Sequence, residues 1–360
     1  PSDAAPWTAN LPPDAPSPAI APFNATEAKR QQQAWADYLG VPVEQEIDLP
    51  GAEKLTMVLI PPGEFLMGSA AEEQARFLEK AKATEDDWAI EWMPNEGPQH
   101  RVRITKPFAL SSHEVTRGLF RHFVEQTGYV TEAERDGRGG FGVVDGDWVQ
   151  NPRFVWSVSP GFPQTDDHPV VNVSWNDAGV FCQWLSEKED AEYHLPTEAQ
   201  WEYACRAGTT TFWCCGNSDS TLREYAWFSV NSPVKTQVTG QLKANGWGLY
   251  DTHGNVWEWC ADWHGADYYT QSPLSDPGGA TTGSRRVVRG ASWHHHESLC
   301  RSAFRYGVSP SSRNHNLGFR VASDLVVGVA GVKVEPTANA GRAARSSLAA
   351  TCVGNQTFHP

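Results

Sequence analysis

The segment Ser292-Trp293-His294-His295-His296-Glu297-Ser298-Leu299-Cys300 crowds three imidazoles, a carboxylate and a thiol into one short stretch. Imidazole and thiolate both ligate transition metals, and imidazole also moves protons near neutral pH. In an extended chain neighbours face opposite ways, so of the three histidines only His294 and His296 would converge. Glu297 or Cys300 would then have to complete a metal site; the competing reading is an exposed polar loop. A second grouping is Asp251 and Glu258, which flank a glycine-containing turn. Two carboxylates with the carbonyls of Gly254 and Val256 would form the all-oxygen shell that calcium takes. Alternatively, Glu258 pairs with an arginine or caps the turn. Asp166-Asp167-His168 offers an acid–base pair, but it sits where a loop would end before a buried strand at Val170-Val171. Cys214-Cys215 reads as a turn before Gly216, with a vicinal disulfide as the alternative.

Other chemistries lack their residues. The seven cysteines (Cys182, Cys205, Cys214, Cys215, Cys260, Cys300 and Cys352) form no Cys-x-x-Cys pair and no zinc spacing, so most read as small buried hydrophobes. There is no Gly-x-Ser-x-Gly elbow, phosphate-binding loop or His-Glu-x-x-His. A net charge of −14 without a basic stripe argues against nucleic acid as a partner. No run is long and apolar enough to span a bilayer; Val326-Val327-Gly328-Val329-Ala330 comes nearest. The chain begins at Pro1, which fits either a removed signal peptide or a fragment, so exported and cytoplasmic locations both stay open.

These groups need a frame. Sixteen tryptophans with 31 glycines and 25 prolines point to loop-rich structure pinned by aromatic anchors. Residues 1–27 are Pro/Ala-rich and read as an extended arm; 28–324 read as one domain, and 325–360 as a loosely held tail. A helix is expected at 26–39, with Ala28, Gln32, Trp35 and Leu39 on one face. Residues 56–60 and 64–68 look like strands of one hairpin around Pro61-Pro62-Gly63. Arg101–Ile104 alternates as a half-exposed strand. Helices are expected over 114–126 and 175–188, the second capped by Ser174 or Asn176. Thr197-Glu198-Ala199-Gln200 is a capping box opening a helix that ends near Gly208.

An ordered set of segments then becomes recognisable. It runs from Ile60-Pro61-Pro62-Gly63-Glu64-Phe65-Leu66-Met67-Gly68-Ser69 through His168-Pro169-Val170-Val171-Asn172-Val173-Ser174-Trp175 and Leu195-Pro196-Thr197-Glu198-Ala199-Gln200-Trp201-Glu202-Tyr203. It continues with Gly254-Asn255-Val256-Trp257-Glu258-Trp259 and Arg289-Gly290-Ala291-Ser292-Trp293 and closes on Asn316-Leu317-Gly318-Phe319-Arg320. Over about 50–324 this resembles the formylglycine-generating enzyme (sulfatase-modifying factor) family. The resemblance implies a compact α+β fold of low regular-structure content, related to C-type lectins. It implies structural calcium at the positions of Asp251, Gly254, Val256 and Glu258. It also implies a protein or peptide partner, a sulfatase if the activity is present.

That family holds copper(I) between two cysteines, and with oxygen converts a substrate cysteine to formylglycine. Counted forward from Ser292, His295 takes the first cysteine's place and Cys300 the second's; counted back from Arg301-Ser302-Ala303-Phe304-Arg305, neither position matches. A lone thiolate cannot supply a two-sulfur site, so copper is not expected. Residues 287–324 also resemble the variable region of diversity-generating retroelement proteins, whose C-terminal surface binds ligand. That resemblance implies a recognition surface including Trp293, His294, His296, Leu299, Phe304, Tyr306, Val308 and His315. The expected protein is thus a monomeric, bacterial-type family member that binds a ligand, with an active oxidase and a retroelement variable protein as alternatives.

Overall fold

The computed structural model describes residues 11–49, 54–232 and 234–324. The helices Ala25–Leu39, Arg117–Thr127, Trp175–Glu189 and Glu198–Arg206 begin where side chains satisfy free backbone N–H groups, whereas Ala71–Ala83 starts without a side-chain cap. Asn24 caps Ala25–Leu39, and Ala28, Gln32, Trp35 and Leu39 face inward as their spacing predicts. Ser174 caps Trp175–Glu189 in a box with Asp177, and Thr197 caps Glu198–Arg206 in a box with Gln200. The helix expected from 114 starts instead at Arg117, because the Thr116 hydroxyl accepts the Leu119 N–H and stops the helix from extending backward. Val115 is buried all the same. Val170 and Val171 are also buried but form no strand; the Val170 N–H bonds to the Val115 carbonyl.

The two strands around Pro61-Pro62 are not partners. Leu55–Ile60 lies between Glu44–Ile47 and Phe108–Ser111 in a five-stranded sheet completed by Ala322–Asp324 and Tyr193–His194. Gly63–Met67 pairs with His100–Ile104 and, in parallel, with Ala19–Ile20. A proline pair cannot keep a ladder going, so the chain leaves one sheet there and enters another. The close approach needs Gly63: a Cβ there would lie 2.1 Å from the Tyr203 hydroxyl and 2.2 Å from the Ala19 carbonyl. Of the Pro/Ala-rich arm, residues 11–27 are described. Ala19 is fully buried, and the Phe23 ring packs on Trp247 at 5.3 Å. The expected tail at 325–360 lies outside the described residues.

A four-stranded sheet carries the site. Its order is Arg305–Val308, Arg286–Arg289, Trp257–Trp263, Leu317–Gly318. A separate two-stranded hairpin, Gly140–Val144 with Asp147–Asn151, turns at Asp145 and Gly146, both at positive φ. Four arginines of the last third are fully buried and tie these layers to the rest. Arg289 reaches Glu198 and Glu202, Arg305 reaches Glu198, Arg301 reaches Glu73 and Glu96, and Arg320 reaches Glu258. Among the described residues no helix is long and apolar enough to cross a membrane.

Candidate functional site

Gly290 (φ +89°) and Ala291 (φ +60°) turn the chain sharply out of the strand Arg286–Arg289. The histidine loop that follows is a series of turns, not a strand, so alternation does not apply to it. Buried Ser292 is its hub. Its Oγ lies 2.7 Å from His295 Nδ1 and takes a bond from Asn316 Nδ2 at 3.0 Å. The His294 and His295 rings therefore sit together, centroids 4.1 Å apart, with the His315 ring 5.8 Å from His294. His296, expected to converge with His294, stands exposed and does not line the cleft that the other three border.

That cleft encloses about 700 Å³. His294, His295, Tyr306, Val308 and His315 border it from the main sheet and its loops. Opposite them stand Phe141, Trp148 and Gln150 of the hairpin, with Asp136, Arg138, Trp88 and Trp257 completing the wall. Trp148 stacks on His315 at 3.6 Å, and Trp88 stacks on His295 at 5.8 Å. The hairpin is anchored from beneath: Asn172 brackets Phe141 through both its amide atoms, and Arg313 pairs with Asp136 while donating to the Gly139 carbonyl. Both ring nitrogens of buried His315, and the Trp293 indole N–H, have no hydrogen-bond partner among the described residues. Such groups want a polar ligand atom or water. Burial, with neighbouring imidazoles, pushes His294 down to about 4 and His315 to about 3, and pushes His295 well down too. The cleft is accordingly aromatic, polar and uncharged at its histidines at neutral pH.

Four of the surface residues expected from sequence, Trp293, His296, Leu299 and Phe304, do not line the cleft. Leu299 and Phe304 are in the core, because the arginine anchors on either side draw the chain inward there. Trp293 is also buried, packing between Phe162 and His294. The hairpin wall was not anticipated, although Asp145-Gly146 between two alternating runs is a strong hairpin signal.

Cys300 is fully buried; its sulfur lies 3.6 Å from the His296 carbonyl, and burial pushes its thiol well up. His295, at the other matched position, is bound to Ser292 and stacked on Trp88. A buried neutral thiol and a tethered imidazole do not fit copper(I), which wants two thiolates.

Asp251 and Glu258 do come together, and a third carboxylate, Glu114, joins them. Glu258 receives both arms of Arg320, at 2.6 and 2.7 Å, and the Trp201 indole N–H at 2.7 Å. Asp251 Oδ2 receives the Gly240 N–H, but Asp251 Oδ1 and Glu114 Oε2 are buried without partners among the described residues. The loop takes left-handed turns at Asp251, Gly254 and Asn255. A Cβ on Gly254 would lie 2.0 Å from the Trp227 carbonyl, so only glycine fits. Among the described residues no three His, Cys, Asp or Glu side chains form a ready metal cage. A cation here would rely on the two free carboxylate oxygens with backbone carbonyls, an oxygen set that suits calcium.

Comparison with known proteins follows the same lines. The chain is 36% identical to a formylglycine-generating enzyme of Streptomyces coelicolor, covering 74% of this chain and 88% of the relative. It is 31% identical to the mouse protein named inactive Cα-formylglycine-generating enzyme 2, covering 77% and 88%. Among solved structures it resembles variable protein 1 of Treponema denticola, with a TM-score of 0.59 and 25% identity over 79% of this chain and all of that one. Residues 47–325 match the sulfatase-modifying factor enzyme 1-like domain. With that match over most of its length, and the α+β fold described above, the chain belongs to the formylglycine-generating enzyme/sulfatase-modifying factor family.

Proposed function

We propose that this protein is a ligand-binding member of its family that does not make formylglycine. The observation that carries the reading is the contrast between Cys300, sealed in the core, and the open aromatic–histidine cleft beside it. The ligand is a peptide or protein segment. It places hydrogen-bonding groups against His315, and flat or apolar groups against Trp148, Trp88 and Tyr306. Aromatic and polar side chains in one concave site are what peptide recognition uses. The relative named inactive and the likeness to a variable protein support binding without oxidation. The test is direct. Incubated with copper, oxygen and a sulfatase-type Cys-x-Pro-x-Arg peptide, the full chain is expected to yield no aldehyde. Turnover abolished by C300S would overturn the reading and favour the oxidase that the Streptomyces relative is named for.

Calcium belongs to the same proposal, as a structural ion held by Asp251 and Glu114 with the carbonyls of Gly254 and Val256, while Glu258 braces the loop through Arg320. Millimolar calcium is expected to raise the thermal midpoint of the chelator-treated chain, and D251A to abolish the rise. An unchanged midpoint in the native sequence would remove calcium from the picture.

A further inference from the structure

Outside the cleft, one cluster of reactive side chains is not accounted for by the family role. Trp213 and Gly216 exchange both backbone hydrogen bonds, N to O at 3.2 and 3.1 Å, and close a tight turn with Cys214 and Cys215 at its tip. Both cysteines are free and partly exposed, and both line an open cleft of about 480 Å³ that also involves Phe23, Thr210 and Gly216. The other free cysteines among the described residues, Cys182, Cys205, Cys260 and Cys300, are buried.

A buried imidazole supports the turn. His253 Nδ1 lies 2.8 Å from the Cys300 carbonyl, which can only accept, so Nδ1 carries the proton. Nε2 is then the acceptor, taking the Cys214 N–H at 3.1 Å. This bond pins the tip of the turn from beneath. A hydrogen bond from the Cys214 thiol holds Cys215 down at about 7, against burial and the charge of Glu224, which both oppose the thiolate. Tyr225 also faces the pair.

We propose that Cys214 and Cys215 form a thiol–disulfide exchange site, with Cys215 as the attacking sulfur and Cys214 as the resolving one. The Cys215 thiolate attacks one sulfur of an incoming small-molecule or peptide disulfide. An S–S bond forms to Cys215 as the substrate's S–S bond breaks, and the released thiolate takes a proton from water. Cys214 then loses its proton and attacks the Cys215 sulfur, expelling the second substrate thiolate, which is protonated in turn. The substrate disulfide gains two electrons and becomes two thiols; the cysteine pair loses the same two and becomes a disulfide. The reaction needs no metal and does not depend on the histidine cleft.

The probe is glutathione disulfide with the fully reduced full-length chain, read by intact-mass and peptide-level mass spectrometry. The native chain is expected to end with Cys214 and Cys215 linked to each other and no glutathione retained. C214S should stop with one glutathione on Cys215, and C215S should give neither product. At pH 7, Cys215 carries roughly fiftyfold more thiolate than an ordinary thiol; its lower intrinsic nucleophilicity takes back about eightfold, leaving a rate about sixfold above that of an ordinary thiol. The rate at which the native chain releases the first glutathione should rise with pH around a midpoint near 7. An unmodified Cys215 in C214S, a midpoint near 9, or C215S reacting as fast as the native chain would each overturn the proposal. Near-ultraviolet circular dichroism of both variants confirms that the turn's surroundings are folded.

Discussion

Replacing Glu198 with glutamine is expected to cost about 3 kcal/mol at neutral pH, with most of that cost disappearing in acid. The Glu198 carboxylate takes two N–H groups of Arg305, both at 2.7 Å, and one of Arg289 at 2.9 Å, and all three side chains are almost completely buried. Glutamine keeps the shape but turns an N–H toward a guanidinium, leaves buried Arg305 without its anion and leaves Arg289 with Glu202 alone. Burial alone would raise the Glu198 carboxyl; Arg305 and Arg289 outweigh it and hold it at about 2 instead of 4.5. At about 1.4 kcal/mol per pH unit the difference comes to about 3 kcal/mol, the lower end of the usual cost of removing one partner from a buried pair. A carboxyl depressed by folding stabilises the fold above its unfolded value, and that contribution is lost as the pH falls through the folded one. The gap between native and E198Q should therefore be complete above about pH 5 and shrink to about 1 kcal/mol at pH 3. Urea unfolding followed by tryptophan fluorescence at both pH values measures it. A gap under about 1 kcal/mol at pH 7, or one that is the same at pH 3, would show that the Glu198 charge does not stabilise the fold in this way.

Asp262 behaves in the opposite sense: burial first, then the charge of Glu198, push it up to about 7, so its ionisation destabilises the fold as pH rises from about 4 to 7. D262N, which keeps an acceptor for the Glu198 N–H, should gain stability over that window, by at most about 4 kcal/mol, in the same urea assay. His294 and His315 should be silent between pH 5 and 8 in an NMR titration, since both are pushed down, to about 4 and about 3. W148A removes the ring stacked on His315 and should move that histidine up toward its ordinary range, at little cost in stability because Trp148 is 38% exposed. G254A places a methyl against the Trp227 carbonyl at a positive φ and should lower stability by more than about 2 kcal/mol in thermal unfolding.

The helices were legible because their signals are local. Ser174 with Asp177 and Thr197 with Gln200 form boxes that the sequence spells out, and periodicity placed Phe181 and Leu185 inward. The Leu55–Ile60 and Gly63–Met67 strands were legible as strands but not as members of different sheets, since their partners lie far along the chain. The histidines were visible as ligands of some kind; their grouping depended on the turn at Gly290-Ala291, which replaced alternation with a coil around Ser292. Glu114 joined the Asp251 group without any sequence cue, because 137 residues of fold separate 114 from 251 and only packing brings them together. The arginine pairs were hidden for the same reason: Arg301 and Glu73 are 228 residues apart.

Those pairs bear on how the protein is made. The buried acids Glu73, Glu96, Glu198 and Glu258 are synthesised first, and the arginines that pair with them, Arg289, Arg301, Arg305 and Arg320, come afterwards. Until the last of these leaves the ribosome, the emerging chain carries acids that cannot be buried unpaired. Completion of the core must then wait for the C-terminal segment, with the slow closure that long-range contacts bring. Chains stalled before residue 289 are expected to remain sensitive to protease, and those released after 324 to become resistant. Resistance already present in the shorter chains would show that the acids are accommodated without their arginines.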